Sequence, residues 1–174
     1  MKKLLLAAVL LAVSTAVYAQ AGSMYVGGGV GFTKFGGDAE GSQFRFAPEV
    51  GTWLANDIQV GGVLGLLSNS DVNPKSQTGL ALYGRKWFSQ GEKFSVYYGA
   101  IGSFFSGKDQ GDEKYNGLGL SLDVGFAYTL SDRWAIAGRA GAIGYQKNDG
   151  VSTIGFNLDN APVFNFGIYY TFKK

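Results

Sequence analysis

Beyond residue 20 the hydrophobic positions recur at every second residue. The clearest stretch runs from Leu118 to Leu130. Leu118, Leu120, Leu122, Val124, Phe126, Tyr128 and Leu130 fall on one face, and Gly119, Ser121, Asp123, Gly125, Ala127 and Thr129 on the other. A period of two is a strand signal, because successive side chains point to opposite faces of a sheet; no helix would keep those leucines together. The same alternation, punctuated by turn residues, predicts eight strands. They are Ser23–Lys34, Gln43–Leu54, Ile58–Asn69, Gln77–Phe88, Lys93–Ser106, Tyr115–Leu130, Arg133–Gln146 and Ala161–Phe172. An even number brings both ends of the array to the same side.

The connections between these strands alternate in length. Ala55-Asn56-Asp57, Ser89-Gln90-Gly91-Glu92 and Ser131-Asp132 are tight. Phe35–Ser42, Ser70–Ser76, Gly107–Lys114 and Lys147–Asn160 are longer and hold much of the charge. Short turns at one end and long polar loops at the other are the pattern of an outer-membrane barrel. The fold class expected is all-β, an eight-stranded antiparallel up-and-down transmembrane β-barrel. In lipid every backbone N–H and C=O must be paired internally, so the first and last strands must meet and close the sheet.

The less apolar face decides which side meets lipid. It is rich in small residues, among them Gly27, Gly29, Gly31, Gly61, Gly65, Gly79, Ala81, Gly117, Gly119 and Ser121. A water-facing exterior would carry lysine, glutamate and threonine instead, whereas a narrow eight-stranded interior needs small side chains. The charges within strands agree. Arg45, Glu49, Arg85, Asp123 and Arg139 all share the small-residue face. The inverse arrangement would put three arginines in hydrocarbon, at roughly 2–4 kcal/mol each near the midplane. Lys86 has the outward parity but stands beside the Ser89 turn, where it can snorkel to the interface.

Residues 1–19 read differently. Lys2 and Lys3 precede an apolar run from Leu4 to Val13, and Val17-Tyr18-Ala19 offers small residues for cleavage before Gln20, with a second possible cut after Ala21. The run is short of the ~20 residues of a spanning helix, so residues 1–19 are expected to be a signal peptide and residues 20–174 the barrel domain. Without Lys2 and Lys3, 13 Lys and Arg face 13 Asp and Glu. The mature chain is then neutral, and no nucleic-acid partner is expected.

Composition removes further classes. The chain has no cysteine and no histidine among 174 residues, but 28 glycines. Disulfide frameworks, thiolate sites, histidine metal centres and His-dependent triads are thereby excluded. No cofactor and no metal site is expected.

The stretch from Met24 to Phe172, with its closing strand Phe166-Gly167-Ile168-Tyr169-Tyr170-Thr171-Phe172, resembles the small outer-membrane β-barrel family of outer-membrane proteins A and X. The resemblance implies export to the cell outer membrane, embedding in its lipid, and recognition of the closing strand by the barrel-assembly machinery. Family members with enzymatic activity depend on histidine, so a non-enzymatic protein is expected.

Two groups of residues are candidate sites. The first is the lumenal charge cluster Arg45, Glu49, Arg85, Asp123 and Arg139. Asp123 and Arg139 lie on adjoining strands and are expected to pair; Glu49 is expected to reach Arg85 or Arg139. Such pairs would act as a structural plug or as a gate in a narrow conduit. The second is an aromatic girdle on the periplasmic side, formed by Phe88, Phe94, Tyr128, Trp134, Tyr170 and Phe172. No residue is assigned a catalytic role, because carboxylates beside arginines stay ionised. The acidic loop with Asp109, Asp112 and Glu113 lacks the spacing of a calcium loop, and Gly27-Gly28-Gly29-Val30-Gly31 opens no helix and is no dinucleotide fingerprint.

The long loops expose Phe35, Asp71, Asn73, Pro74, Lys75, Gln110 and Asp149, where binding to an unidentified partner would reside. Ile154-Gly155-Phe156-Asn157-Leu158 keeps the parity of the last strand and could extend it into an exposed hairpin with Tyr145 and Gln146, an edge open to a partner strand. The function expected is a structural envelope role or loop-mediated adhesion by a monomer. The alternatives are a narrow channel for water, ions or small solutes, and a secreted soluble ligand-binding barrel.

Overall fold

The computed structural model describes residues 22–36, 41–71, 73–157 and 165–172; the expected signal peptide, residues 1–19, lies outside them. Nine strand segments follow one another: β1 Met24–Phe35, β2 Gly41–Ala55, β3 Ile58–Asn69, β4 Ser76–Ser89, β5 Phe94–Lys108, β6 Lys114–Thr129, β7 Trp134–Asn148, β8 Val151–Asn157 and β9 Asn165–Phe172. Each of the first seven pairs antiparallel with its successor. β8 and β9 both pair with β7, β8 along Ala142–Asn148 and β9 along Trp134–Arg139. β9 also pairs with β1, from Met24 opposite Phe172 to Gly28 opposite Ile168. The sheet therefore closes as an eight-stranded antiparallel barrel whose eighth stave has two segments.

The sequence pattern explains the orientation. The outward rows are apolar and exposed: Leu118, Leu120 and Leu122 on β6, Leu80 and Leu82 on β4, Ile168 and Phe172 on β9. The buried side chains belong to the other row. Tyr25, Tyr83, Tyr97, Phe105, Glu49, Gln59, Asn69 and Asp123 all face the lumen. A soluble barrel would reverse this arrangement, so the soluble alternative fails on the position of its leucines.

The fourth long connection differs from expectation. Residues 147–160 are not a loop throughout: β7 continues to Asn148, Asp149 and Gly150 form the turn, and β8 returns. Both turn residues have positive φ, 43° at Asp149 and 88° at Gly150. That conformation matches a tight two-residue hairpin, and Asp-Gly supports it at little steric cost. Tyr145 stands opposite Ile154 and Gln146 opposite Thr153, as expected for a strand continuing outward. Tyr145 Oη and Ser152 Oγ, 2.9 Å apart, fasten the hairpin. Residues 158–164, which include Leu158 and the start of the strand expected from Ala161, lie outside the described residues.

One irregularity bears on the lumen. Val124 pairs with Gly141, but the next residue, Gly125, pairs with Arg139. Ala140 is thus an extra residue in β7, a β-bulge. Below it Trp134, Ile136 and Gly138 align with the outward row of β6; above it Gly141, Ile143 and Tyr145 do so.

Candidate functional site

The middle of the lumen is built by odd-numbered residues of β1 to β6 and β9. Glu49 on β2 is 8% exposed, and one of its oxygens accepts from Arg85 of β4 at 3.1 Å. The same oxygen takes the Tyr83 hydroxyl, and Tyr25 and Tyr83 join hydroxyl to hydroxyl. The second oxygen of Glu49 accepts from Tyr169 Oη at 3.0 Å, tying β2 to β9 across the closure of the barrel. A buried carboxylate is costly unless paired and hydrogen-bonded; this one has a cation and two hydroxyls.

Arg85 is held on its faces as well as its edge. Its guanidinium lies 3.9 Å from the centre of the Tyr83 ring and 4.7 Å from that of Tyr97. These are cation–π distances, and desolvation strengthens such contacts to about 2 kcal/mol. Tyr97 donates at 3.0 Å to Asp123, which is 1% exposed. Arg85 and Asp123 flank Gly99 in register on β4, β5 and β6. Arg85 Nε and Asp123 Oδ1 are both buried and have no hydrogen-bond partner among the described residues.

Below this layer, towards the tight turns, Trp87 packs in tilted contact on Tyr97 at 4.7 Å and on Trp53 at 5.8 Å, and its indole N–H donates to Gln59 at 3.0 Å. The lumen is thus crossed by two layers, one ionic and phenolic, the other indole.

The expected partnership of Asp123 with Arg139 is absent. The β6–β7 hairpin register sets Arg139 opposite Gly125, two residues nearer the turn than Asp123, and β9 sets Asn165 on its other side; the bulge at Ala140 lies beyond Arg139 and puts Ala142 opposite Asp123. Arg139 is exposed and makes no ion pair among the described residues. Arg45 is also exposed, near the long-loop end, where it reaches Gln43 at 3.5 Å. Of the five charges, only Glu49 and Arg85 form an ion pair among the described residues, with Asp123 close by through Tyr97.

Sequence reasoning missed the phenols. The inner face was expected to be small, yet it also holds Tyr25, Tyr83, Tyr97, Tyr169, Phe105, Tyr115, Trp53 and Trp87. They fit because glycines stand across from six of them. Tyr25 pairs with Gly51, Tyr83 with Gly61, Tyr97 with Gly125, Tyr169 with Gly27, Phe105 with Gly117 and Tyr115 with Gly107. A Cβ built at any of these glycines would collide with the ring opposite. The signal was present: each ring has inward parity, and five of these six meet glycine across their own hairpin, Tyr169 meeting Gly27 across the closure of the barrel.

The second expected group collects at the tight-turn end. Phe88 packs on Tyr98 at 5.6 Å, Phe94 on Phe126 at 6.1 Å, Trp134 on Tyr170 at 5.0 Å and Tyr170 on Phe172 at 5.0 Å. Phe88, Phe94, Tyr128, Trp134 and Phe172 are exposed on the outer surface. Arg133 donates to Tyr170 Oη at 2.9 Å, and Lys86 reaches Asp57 in the neighbouring turn.

The family described as outer membrane protein beta-barrel domain matches residues 4–172. Among curated proteins nothing matches the chain. Solved structures share the fold at low identity. The N-terminal β-barrel domain of OprF from Pseudomonas aeruginosa has a TM-score of 0.59 at 13% identity, covering 87% of this chain and 100% of that one. Neisserial surface protein A gives 0.51 at 15% identity, with coverage of 87% and 96%. Ail of Yersinia pestis, in a phospholipid bilayer nanodisc, gives 0.50 at 14% identity, with coverage of 87% and 100%.

Proposed function

The chain belongs to the outer membrane protein beta-barrel domain family and resides in the outer membrane, and from that premise we propose that it is a non-enzymatic envelope protein with a plugged lumen, presenting its long-loop end for contact outside the cell. The observation that carries this reading is the Glu49–Arg85 pair at 3.1 Å, braced by Tyr83, Tyr97 and Tyr169 in mid-lumen. The Glu49–Arg85 pair at the centre of the charge cluster is then structural: the two neutralise each other, with Asp123 held by Tyr97, and no carboxylate is disposed for acid–base work. Phe88, Phe94, Tyr128, Trp134, Tyr170 and Phe172 serve as the periplasmic girdle, anchoring the tight-turn end at the interface. Residues 1–19 direct export, and the closing strand through Phe172 is read by the barrel-assembly machinery. The protein acts as a monomer, since a closed barrel leaves no need for a partner strand. Planar-bilayer recording tests the plug: the wild type should give no steady conductance, and stable openings that change when Arg85 is neutralised would overturn it.

A second reading, a narrow conduit for water, is favoured by one observation. Arg85 Nε and Asp123 Oδ1 are buried on either side of Gly99 with no partner among the described residues, and water satisfies such atoms. Osmotic swelling of proteoliposomes distinguishes it: a water path speeds swelling without ionic current.

A further inference from the structure

Above the plug, at the long-loop mouth, lies a cavity of about 360 Å³ lined by Asn73, Pro74, Gln77, Phe105, Asp109, Tyr115, Gln146 and Asn148. We propose that this cavity binds an uncharged, hydroxyl-rich ligand, a neutral saccharide of one or two rings. The assignment deepens the envelope reading and rests on it for the outward placement of the mouth.

The lining chemistry selects the ligand class. Four carboxamides, Asn73, Gln77, Gln146 and Asn148, surround the space, and neither lysine nor arginine lines it. An anion would find no cation there and would meet the carboxylate of Asp109. A metal cation would find one carboxylate, whose Oδ1 already accepts from the Glu113 N–H at 2.8 Å. An apolar ligand would strip water from the amides without replacing its hydrogen bonds. Hydroxyl groups both donate and accept, and so suit amides of either orientation.

Two acceptors lack donors. Asn148 Oδ1, on the lining, and Asn69 Oδ1, whose amide nitrogen is bound to the Pro74 carbonyl, are buried and have no hydrogen-bond partner among the described residues. Other polar groups are already fixed: Tyr115 donates to Gln77 Oε1 at 2.9 Å, and Asn73 Oδ1 accepts from the Gln110 N–H at 2.9 Å. The site is therefore partly preorganised, which lowers the entropy lost on binding.

The rings keep the space open. Phe105 lies across Gly117 and Tyr115 across Gly107, with their centres 6.3 Å apart in edge-to-face contact. Glycine at those positions lets both rings lie against the wall; Phe105 is buried there, and the half-buried Tyr115 offers ring surface to the C–H face of a sugar. The volume is at the lower end of the ~300–1,000 Å³ of small-molecule sites, suited to one or two rings.

The test is saturation-transfer NMR on the full chain in phospholipid nanodiscs, with maltose, cellobiose and lactose as probes and glucose 6-phosphate as the anionic comparison. We expect transfer to the ring protons of at least one neutral disaccharide, reduced at least fivefold in Gln146→Ala and in Asn148→Ala. Heat-modifiable migration verifies that each variant is folded, and the exposed Gln146 suffices if Asn148→Ala does not fold. No transfer to any of the three disaccharides overturns the proposal, as does transfer undiminished in folded Gln146→Ala, or stronger transfer to glucose 6-phosphate. In nanodiscs both ends of the barrel meet solvent, so the measurement is independent of orientation. A conducting lumen in planar bilayers would overturn the plug and leave this result standing.

Discussion

Tyr83 lies across Gly61, its direct cross-strand partner, with its hydroxyl where a Cβ of residue 61 would be. Tyr83 cannot swing aside, because its hydroxyl is held by Tyr25 and Glu49 and its ring face by Arg85. The many glycines of this chain are thus more than generic small residues for a narrow tube. Several are seats for particular rings.

Gly61→Ala should therefore destabilise the folded barrel by about 1–3 kcal/mol, the usual range for overpacking. Gly102→Ala is the comparison, since a Cβ there meets nothing within 4 Å, and it should leave stability unchanged. Urea unfolding in lipid vesicles, followed by tryptophan fluorescence, measures both. Equal stability of the two variants would refute the seating argument.

Arg85→Met should cost about 3–5 kcal/mol, because it strands the Glu49 carboxylate in a buried site. Adding Glu49→Gln should restore much of the loss. The same unfolding assay reads this double-mutant cycle, and strict additivity would contradict a direct pair.

Arg139→Ala, which the sequence alone would make damaging, should change stability by no more than about 0.5 kcal/mol, as for other exposed sites. Its side chain is exposed and unpaired with any carboxylate among the described residues. A loss comparable with that of Arg85→Met would show that Arg139 has a buried partner after all.

Asp112 joins two loops at the mouth. Lys75 Nζ hydrogen-bonds it at 3.0 and 3.1 Å, and Lys108 stands 3.8 Å away. The hydrogen bond from Lys75, then its charge, hold the Asp112 carboxyl below the ordinary aspartate range. A carboxyl depressed by folding adds stability above its unfolded pKa and loses it as pH falls through its folded value. The clasp should therefore persist at neutral pH and open on acidification. A carbon-detected NMR titration should place the Asp112 midpoint lower in wild type than in Lys75→Met; identical midpoints would exclude the clasp.

The outer skin can be tested by charge. Leu120→Arg, on a residue 62% exposed in the outward row, should cost up to about 2–4 kcal/mol in a bilayer, according to its depth. Vesicle unfolding measures the loss, and a neutral effect would place that row outside the hydrocarbon.

Strands and orientation were legible because they depend on period and on charge parity, which need only sequence. Arg45, Glu49, Arg85 and Asp123 share a face whatever the details of packing. The phenolic lining was harder to read, because the period assigns Tyr83 to a face without saying that Gly61 makes room for it. Asp123 and Arg139 do not pair because the hairpin register sets Arg139 opposite Gly125, and alternation assigns a face without fixing which residues stand opposite. A one-residue bulge leaves no mark in a pattern of alternating residues, yet it shifts every partner above it. The hairpin past Asn148 was half legible: Ile154 and Phe156 gave the parity, but Asp149-Gly150 was absorbed into a longer loop.

The bulge also makes this wall unequally tolerant of lost codons. Removing Ala140 would join Arg139 to Gly141 and leave every other side chain of that stave on its present side. Removing a single residue in the regular stretch from Leu118 to Phe126 would turn half the stave inside out, sending Asp123 towards the acyl chains. In this barrel, one place absorbs a deletion that its neighbours cannot.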